Sequence, residues 1–152
     1  MNNCEVVTKP VLNLVGISYC GPYSTFPDEA IRLQSEVLAR KHEVDYLSSA
    51  IYSPYFGNEV FATYWACFEV AHIEEPPAGM VQFTIPEGQY AMVRTTNERI
   101  GEGYEQLFAW MNERQLIKRE SAVSLEIFYI DERLEEELVE LLIPIVPIAH
   151  ED

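Results

Sequence analysis

Ser124-Leu125-Glu126-Ile127-Phe128-Tyr129 is the stretch on which the reading of this chain turns. Aromatic and β-branched residues dominate it, and neither Gly nor Pro interrupts it, so it reads as a strand. Side chains alternate along a strand. Glu126 therefore shares one face with Ser124 and Phe128, and Leu125, Ile127 and Tyr129 take the other. On a solvated face the glutamate is an ordinary surface charge. On an enclosed face, a lone carboxylate among aromatics needs a cationic or hydrogen-bonding partner.

Upstream, Ile100, Tyr104, Leu107, Phe108 and Met111 recur at i, i+4, i+7, i+8 and i+11, one apolar stripe of a helix. The helix is expected to open near Thr95 to Asn97, where Thr95 and Glu98 have capping-box spacing. Trp110 lies off the stripe and reads as structural. Downstream, a short acidic segment leads into a strand from about Val139. Before the helix, Met80–Ile85 and Tyr90–Thr95 flank the turn Pro86-Glu87-Gly88.

The first half carries a similar set. Val11–Tyr19 is the first expected strand, with Gly16 marking a bulge or a close backbone approach, and Gly21-Pro22 ends it. A helix follows, with Ser24 or Thr25 as cap, Pro27 and Asp28 in its first turn, and Ala30, Leu33, Val37 and Leu38 carrying it to about His42. Residues 45–58 read as a turn-rich connection, because Pro54 and Gly57 break it. Its aromatics, Tyr52, Tyr55 and Phe56 among them, either pin the loop to the core or form a lid over something apolar. Glu59–Val70 is the next strand, with Trp65 near its middle, and Glu74-Glu75-Pro76-Pro77-Ala78-Gly79 is a clear break.

The order is strand, helix, strand, strand, then the same again. This predicts one α+β domain over residues 1–152, built from two pseudo-repeats at about 5–75 and 79–148. On that reading Trp65 and Glu126 hold corresponding central positions in the two halves.

Composition removes several function classes. No apolar run approaches the ~18 residues of a membrane span, and the N-terminus lacks the basic and apolar regions of a signal peptide, so a cytoplasmic, membrane-free protein is expected. The formal net charge of -15, with ten scattered basic residues, argues against direct DNA binding. Cys4, Cys20 and Cys67 form no CxxC pair, and His42, His72 and His150 show no metal-ligand spacing. Gly101-Glu102-Gly103 lacks the rest of a phosphate-binding loop, so neither metal nor nucleotide cofactor is expected.

Four segments together resemble a known family: Phe83-Thr84-Ile85-Pro86-Glu87-Gly88-Gln89-Tyr90-Ala91, Leu107-Phe108-Ala109-Trp110-Met111, Leu125-Glu126-Ile127-Phe128-Tyr129 and Leu141-Leu142-Ile143-Pro144-Ile145. In order and spacing they are similar to the gyrase-inhibitor-like (GyrI-like) effector-binding domain, the ligand sensor of multidrug-responsive bacterial transcription regulators, which also occurs alone. The resemblance implies a duplicated β-α-β-β unit, a curved antiparallel sheet carrying two main helices, and a ligand cleft between the halves. It implies that Glu126 faces lipophilic cations inside an aromatic pocket, since a delocalised cation is matched by aromatic faces plus one carboxylate.

Trp65, Tyr104, Ile100, Phe108 and Tyr52 are the expected companions of Glu126 in the ligand site. The acidic balance, and the absence of a helix-turn-helix ahead of the domain, point to a sensor or sequestering protein rather than a DNA-binding regulator. Two alternatives accompany this. One is a hydrolase of cyclopropane-containing or other strained electrophiles, with Glu126 activating water or stabilising positive charge. The other is a protein-interaction module of the gyrase-inhibitor type, whose partner is a protein.

Overall fold

Neighbouring strands in this chain are not always neighbours in its sheet. In the computed structural model, which describes residues 3–72, 74–131 and 133–148, the first two strands are β1 (Cys4–Lys9) and β2 (Leu12–Pro22). They follow one another directly in sequence yet do not pair. β1 pairs instead with β6 (Gly88–Thr96), and β2 pairs with β5 (Val81–Ile85). The remaining strands are β3 (Ile51–Gly57), β4 (Phe61–Glu69), β7 (Ser124–Phe128) and β8 (Leu138–Pro144), and the two helices are α1 (Asp28–Ala39) and α2 (Ile100–Glu113). Among the described residues, the eight strands form one curved antiparallel sheet in the order β1-β6-β8-β7-β3-β4-β2-β5.

Each half thus contributes β-β-α-β-β and lends its leading strand to the other half. The halves meet where β3 lies against β7, and Ser53 and Glu126 form the central rung of that ladder, between Ile51↔Phe128 and Tyr55↔Ser124. This corrects one expectation. The counterpart of Glu126 across the join is Ser53, not Trp65.

Two further differences have physical causes. β1 is an added strand whose residues are half-buried or exposed, none of them fully buried, and its pairing partner lies far along the chain. β3 runs through residues expected to form a turn-rich connection. Its proline costs little, because the β3–β4 ladder pairs Tyr52 with Cys67 and Tyr55 with Tyr64 but skips Ser53 and Pro54. The missing N–H of Pro54 falls in that gap. At the helix starts the expected caps are not used: α1 is preceded by Pro27, and Thr95 and Thr96 belong to β6. Tyr46, at an isolated bridge to Val70, and Tyr52 are pinned to the structure, as one of the two readings of that segment held.

Both helices pack on one face of the sheet, α1 on β2 and β4, α2 on β6 and β8. Between helices and sheet lies the larger core, with Leu33, Val37, Phe68, Val93, Leu107, Leu141 and Ile143 essentially buried. The opposite face carries a second apolar cluster that includes Leu14, Cys67, Met92, Leu125, Ile127 and Leu142. Because the helices rest toward the outer strands, the central strands β3 and β7 floor a groove between them. Among the described residues, no helix is long and apolar enough to cross a membrane.

Candidate functional site

Alternation along β7 sends Leu125 and Ile127 into the second cluster and turns Glu126 toward the helices, beside buried Phe128 and Ser124. Across the ladder, the Ser53 and Tyr55 side chains take the same face, and Tyr64 joins them from β4 opposite Tyr55. The helical stripe splits in two. Leu107 and Met111 bury against the sheet, joined by Trp110 from beside the stripe, whereas Ile100, Tyr104 and Phe108, spaced at i, i+4 and i+8, rim the groove. From the first half, Tyr23, Phe26, Pro27, Ala30 and Ala62 complete the wall around a space of about 520 Å³.

A converging set of donors holds the carboxylate. The Tyr104 hydroxyl donates to Glu126 Oε2 at 2.5 Å, and the Tyr64 hydroxyl donates to Oε1 at 3.1 Å. Tyr104 has then used its one proton, so Tyr55, 2.6 Å away, donates to it. Gln34 Nε2 on α1 donates to the Tyr64 hydroxyl at 3.1 Å. Every proton in the chain Gln34→Tyr64→Glu126←Tyr104←Tyr55 points toward an ionised Glu126.

The residue keeps some contact with solvent through the groove, but its carboxyl is crowded closely enough that burial dominates its proton affinity. Burial pushes the Glu126 pKa up, and the hydrogen bonds from Tyr104 and Tyr64 pull part of that rise back. The phenols respond in the same sense. Burial raises Tyr64 and Tyr104 well above the ordinary tyrosine value, and the nearby Glu126 charge adds to the rise. They remain neutral donors at any physiological pH.

No basic side chain takes part. The groove lining contains no Lys, Arg or His, and Glu126 makes no ion pair among the described residues. Glu140, the other acid set well inside the sheet, shows what a structural carboxylate looks like here. It lies 3.3 Å from Arg94 Nε and accepts a 2.5 Å hydrogen bond from Tyr129. Rings stand in place of such a cation at Glu126. Tyr104 and Phe108 stack at 5.9 Å, Tyr55 meets Tyr104 edge-on at 6.5 Å, and Phe26 leans on Tyr64 at 6.0 Å.

Of the residues expected from sequence, the structure gathers Glu126, Tyr104, Ile100 and Phe108 at one groove. It does not bring Trp65 or Tyr52 there. Trp65 sits on the opposite face, 4.5 Å from Phe83, and Tyr52 bonds Glu69 on that same face. Tyr64, adjacent to Trp65, and Tyr55, on the same strand as Tyr52, supply the aromatics instead. Alternation along β4 separates Trp65 from Tyr64, and the run Ala62, Tyr64, Ala66, Phe68 is the helix-facing set. Gln34, Phe26 and Ser53 were not anticipated, and only the α1 packing reveals the first two. Phe56, expected with Tyr55 in a lid, is exposed beside the groove rather than within it. His150 lies outside the described residues.

Ser53 adds a testable detail. Its hydroxyl is fully buried and, among the described residues, finds no hydrogen-bond partner of good geometry, although it lies near enough to the Tyr64 hydroxyl to moderate that group's raised pKa. An orphaned buried hydroxyl costs about 1–3 kcal/mol. Ser53→Ala is therefore expected to leave stability unchanged or raise it by up to about 1 kcal/mol in a denaturant melt. A loss of more than that would show that Ser53 already serves as a hydrogen-bond partner.

A comparison with protein families decides the relationship: the GyrI-like small molecule binding domain matches residues 2–146. The chain belongs to the GyrI-like family. No curated protein sequence matches it. Solved structures of similar fold include SAV2435 bound to tetraphenylphosphonium, with a TM-score of 0.74 at 13% identity, covering 94% of this chain and 93% of that one. The C-terminal domain of EcmrR aligns with a TM-score of 0.69 at 11% identity, over 95% and 98% of the two chains. A hydrolase from Listeria innocua aligns at 0.66 and 9% identity, over 95% and 92%. At these identities the likeness is one of fold. The GyrI-like fold here is the duplicated sheet with its central groove.

Proposed function

We propose that this GyrI-like protein binds lipophilic organic cations in the groove between its halves, with Glu126 as counter-charge and Tyr64, Tyr104, Tyr55, Phe26 and Phe108 as aromatic walls. One observation carries the reading. Glu126 is an enclosed anion supported only by neutral phenol donors, facing an open aromatic groove that holds no positive charge. A delocalised cation completes that arrangement through cation–π attraction and ion pairing, without shedding a tight hydration shell. The likeness to SAV2435, solved with tetraphenylphosphonium, supports the choice of ligand class.

The hydrolase reading asks Glu126 to activate water or to stabilise developing positive charge. Both of its oxygens already accept a phenol hydrogen bond, which leaves little room to hold and orient an attacking water and favours an electrostatic over a proton-accepting role. Binding without turnover is the reading the geometry supports better.

Tetraphenylphosphonium and tetraphenylborate are nearly the same shape and opposite in sign, so they test the charge directly. By calorimetry the cation is expected to bind with a micromolar dissociation constant, about 8 kcal/mol, and the anion not to bind measurably. Equal affinity for both would remove the electrostatic role of Glu126.

A further inference from the structure

We propose that the groove is one end of a longer site, and that its best-fitting ligand is a ditopic cation: two positive ends joined by an apolar linker. The inference rests on the cation-binding reading above and extends it to ligand length and charge. A second cavity of about 350 Å³ adjoins the groove, and Tyr23, Tyr55 and Ala62 line both. Their floors are continuous along β7. Ser124 lines the second cavity and Glu126 the first, on the same face and two residues, ~7 Å, apart. Tyr55, the ladder partner of Ser124, stands between them as an aromatic sill over which an apolar chain can pass.

The far end is charged. Glu59, Lys118 and Glu120 border the second cavity, and among the described residues none of them makes an ion pair. Two carboxylates against one ammonium leave an excess of negative charge, the same sign as Glu126. The net charge of -15 on the whole chain reinforces it. A ligand anion at that end meets repulsion, a neutral end leaves the carboxylates to water, and a second cation is attracted. Lys118 opposes that attraction, so removing its charge should strengthen it.

Three probes of equal length test this: decamethonium, and its analogues in which one ammonium is replaced by a hydroxyl or by a carboxylate. With the intact protein the expected order of affinity is bis-cation, then hydroxyl, then carboxylate, with decamethonium roughly three- to tenfold tighter than the hydroxyl analogue, the scale of two exposed charge contacts. Glu59→Gln combined with Glu120→Gln should bring decamethonium down to the hydroxyl analogue and leave the latter unchanged. Lys118→Met should tighten decamethonium alone. The proposal is overturned if the bis-cation has no advantage, if the carboxylate analogue binds best, or if the advantage survives the double substitution. The hydroxyl analogue reports on the groove by itself. If it binds in a Glu126-dependent way while decamethonium gains nothing, or if tetraphenylphosphonium binds and none of the three does, only the longer site fails; if tetraphenylphosphonium fails to bind as well, both readings fail.

Discussion

Glu126→Gln is expected to fold as stably as the wild type or more so, by about 1 kcal/mol, while losing at least 1–2 kcal/mol of affinity for tetraphenylphosphonium. The hydrogen-bond network explains why the variant survives. The glutamine oxygen still accepts from Tyr104, and its amide nitrogen donates to the Tyr64 hydroxyl. The Tyr64 proton, displaced from the carboxylate, turns to Ser53 Oγ, the buried acceptor that otherwise lacks a partner.

Stability and binding then depend on pH in a defined sense. Burial holds the folded Glu126 pKa above its ordinary value of 4.5, so the folded protein binds this proton more tightly than the unfolded chain does. Above the folded pKa the ionised group detracts from stability, and that loss is recovered as pH falls through the folded pKa toward 4.5. The advantage of the glutamine variant should accordingly be largest at neutral pH and vanish at strongly acidic pH. Cation affinity of the wild type should fall across the same window, as the counter-charge is protonated. Thermal melts with and without the cation at several pH values read both. A variant that melts lower and binds unchanged would make Glu126 structural.

The second large effect concerns the scaffold. Gly16 lies in β2 between its partners Cys67 and Val81, and a Cβ there would collide with the Ala66 carbonyl oxygen and stand 2.6 Å from Cys67 Cα. Those are backbone atoms of β4, the strand that carries Tyr64, and they cannot step aside as a side chain would. Gly16→Ala should cost about 3 kcal/mol or more, lowering Tm by roughly 10 °C. Gly101 is the control. It sits in α2 with nothing within 4 Å of its missing Cβ, so Gly101→Ala should stabilise by up to about 1 kcal/mol. The same substitution is expected to have opposite signs at the two sites. An unchanged melt for Gly16→Ala would mean that β2 and β4 can separate at little cost.

The strand around Glu126 was legible because its residue types and alternation are local properties. So was the close approach at Gly16, as one of two readings, and the i, i+4, i+8 row that carries Ile100, Tyr104 and Phe108. Which face of β4 meets the helices was not legible. Trp65 and Tyr64 are adjacent letters that end on opposite sides of a sheet, and only the register with β3 separates them. β3 itself was hidden by Pro54, whose strand-breaking tendency is absorbed by a two-residue gap in one ladder. Gln34 and Ser53 carry no signal of their own, since each matters through a tyrosine hydroxyl brought in from elsewhere in the chain.

The exchange of leading strands also bears on how the protein is made. Cys4 pairs with Val93, so a ribosome must synthesise most of the sheet before the first strand finds its partner. Until then β1 is an unpaired edge attached to a half-formed first repeat, and β2 lacks the outer neighbour that β5 will provide. Long-range pairings of this kind slow folding and prolong the exposure of strand edges. Folding during synthesis should therefore be late and nearly concerted, with the aromatic groove assembling only after both helices and the last strand have emerged.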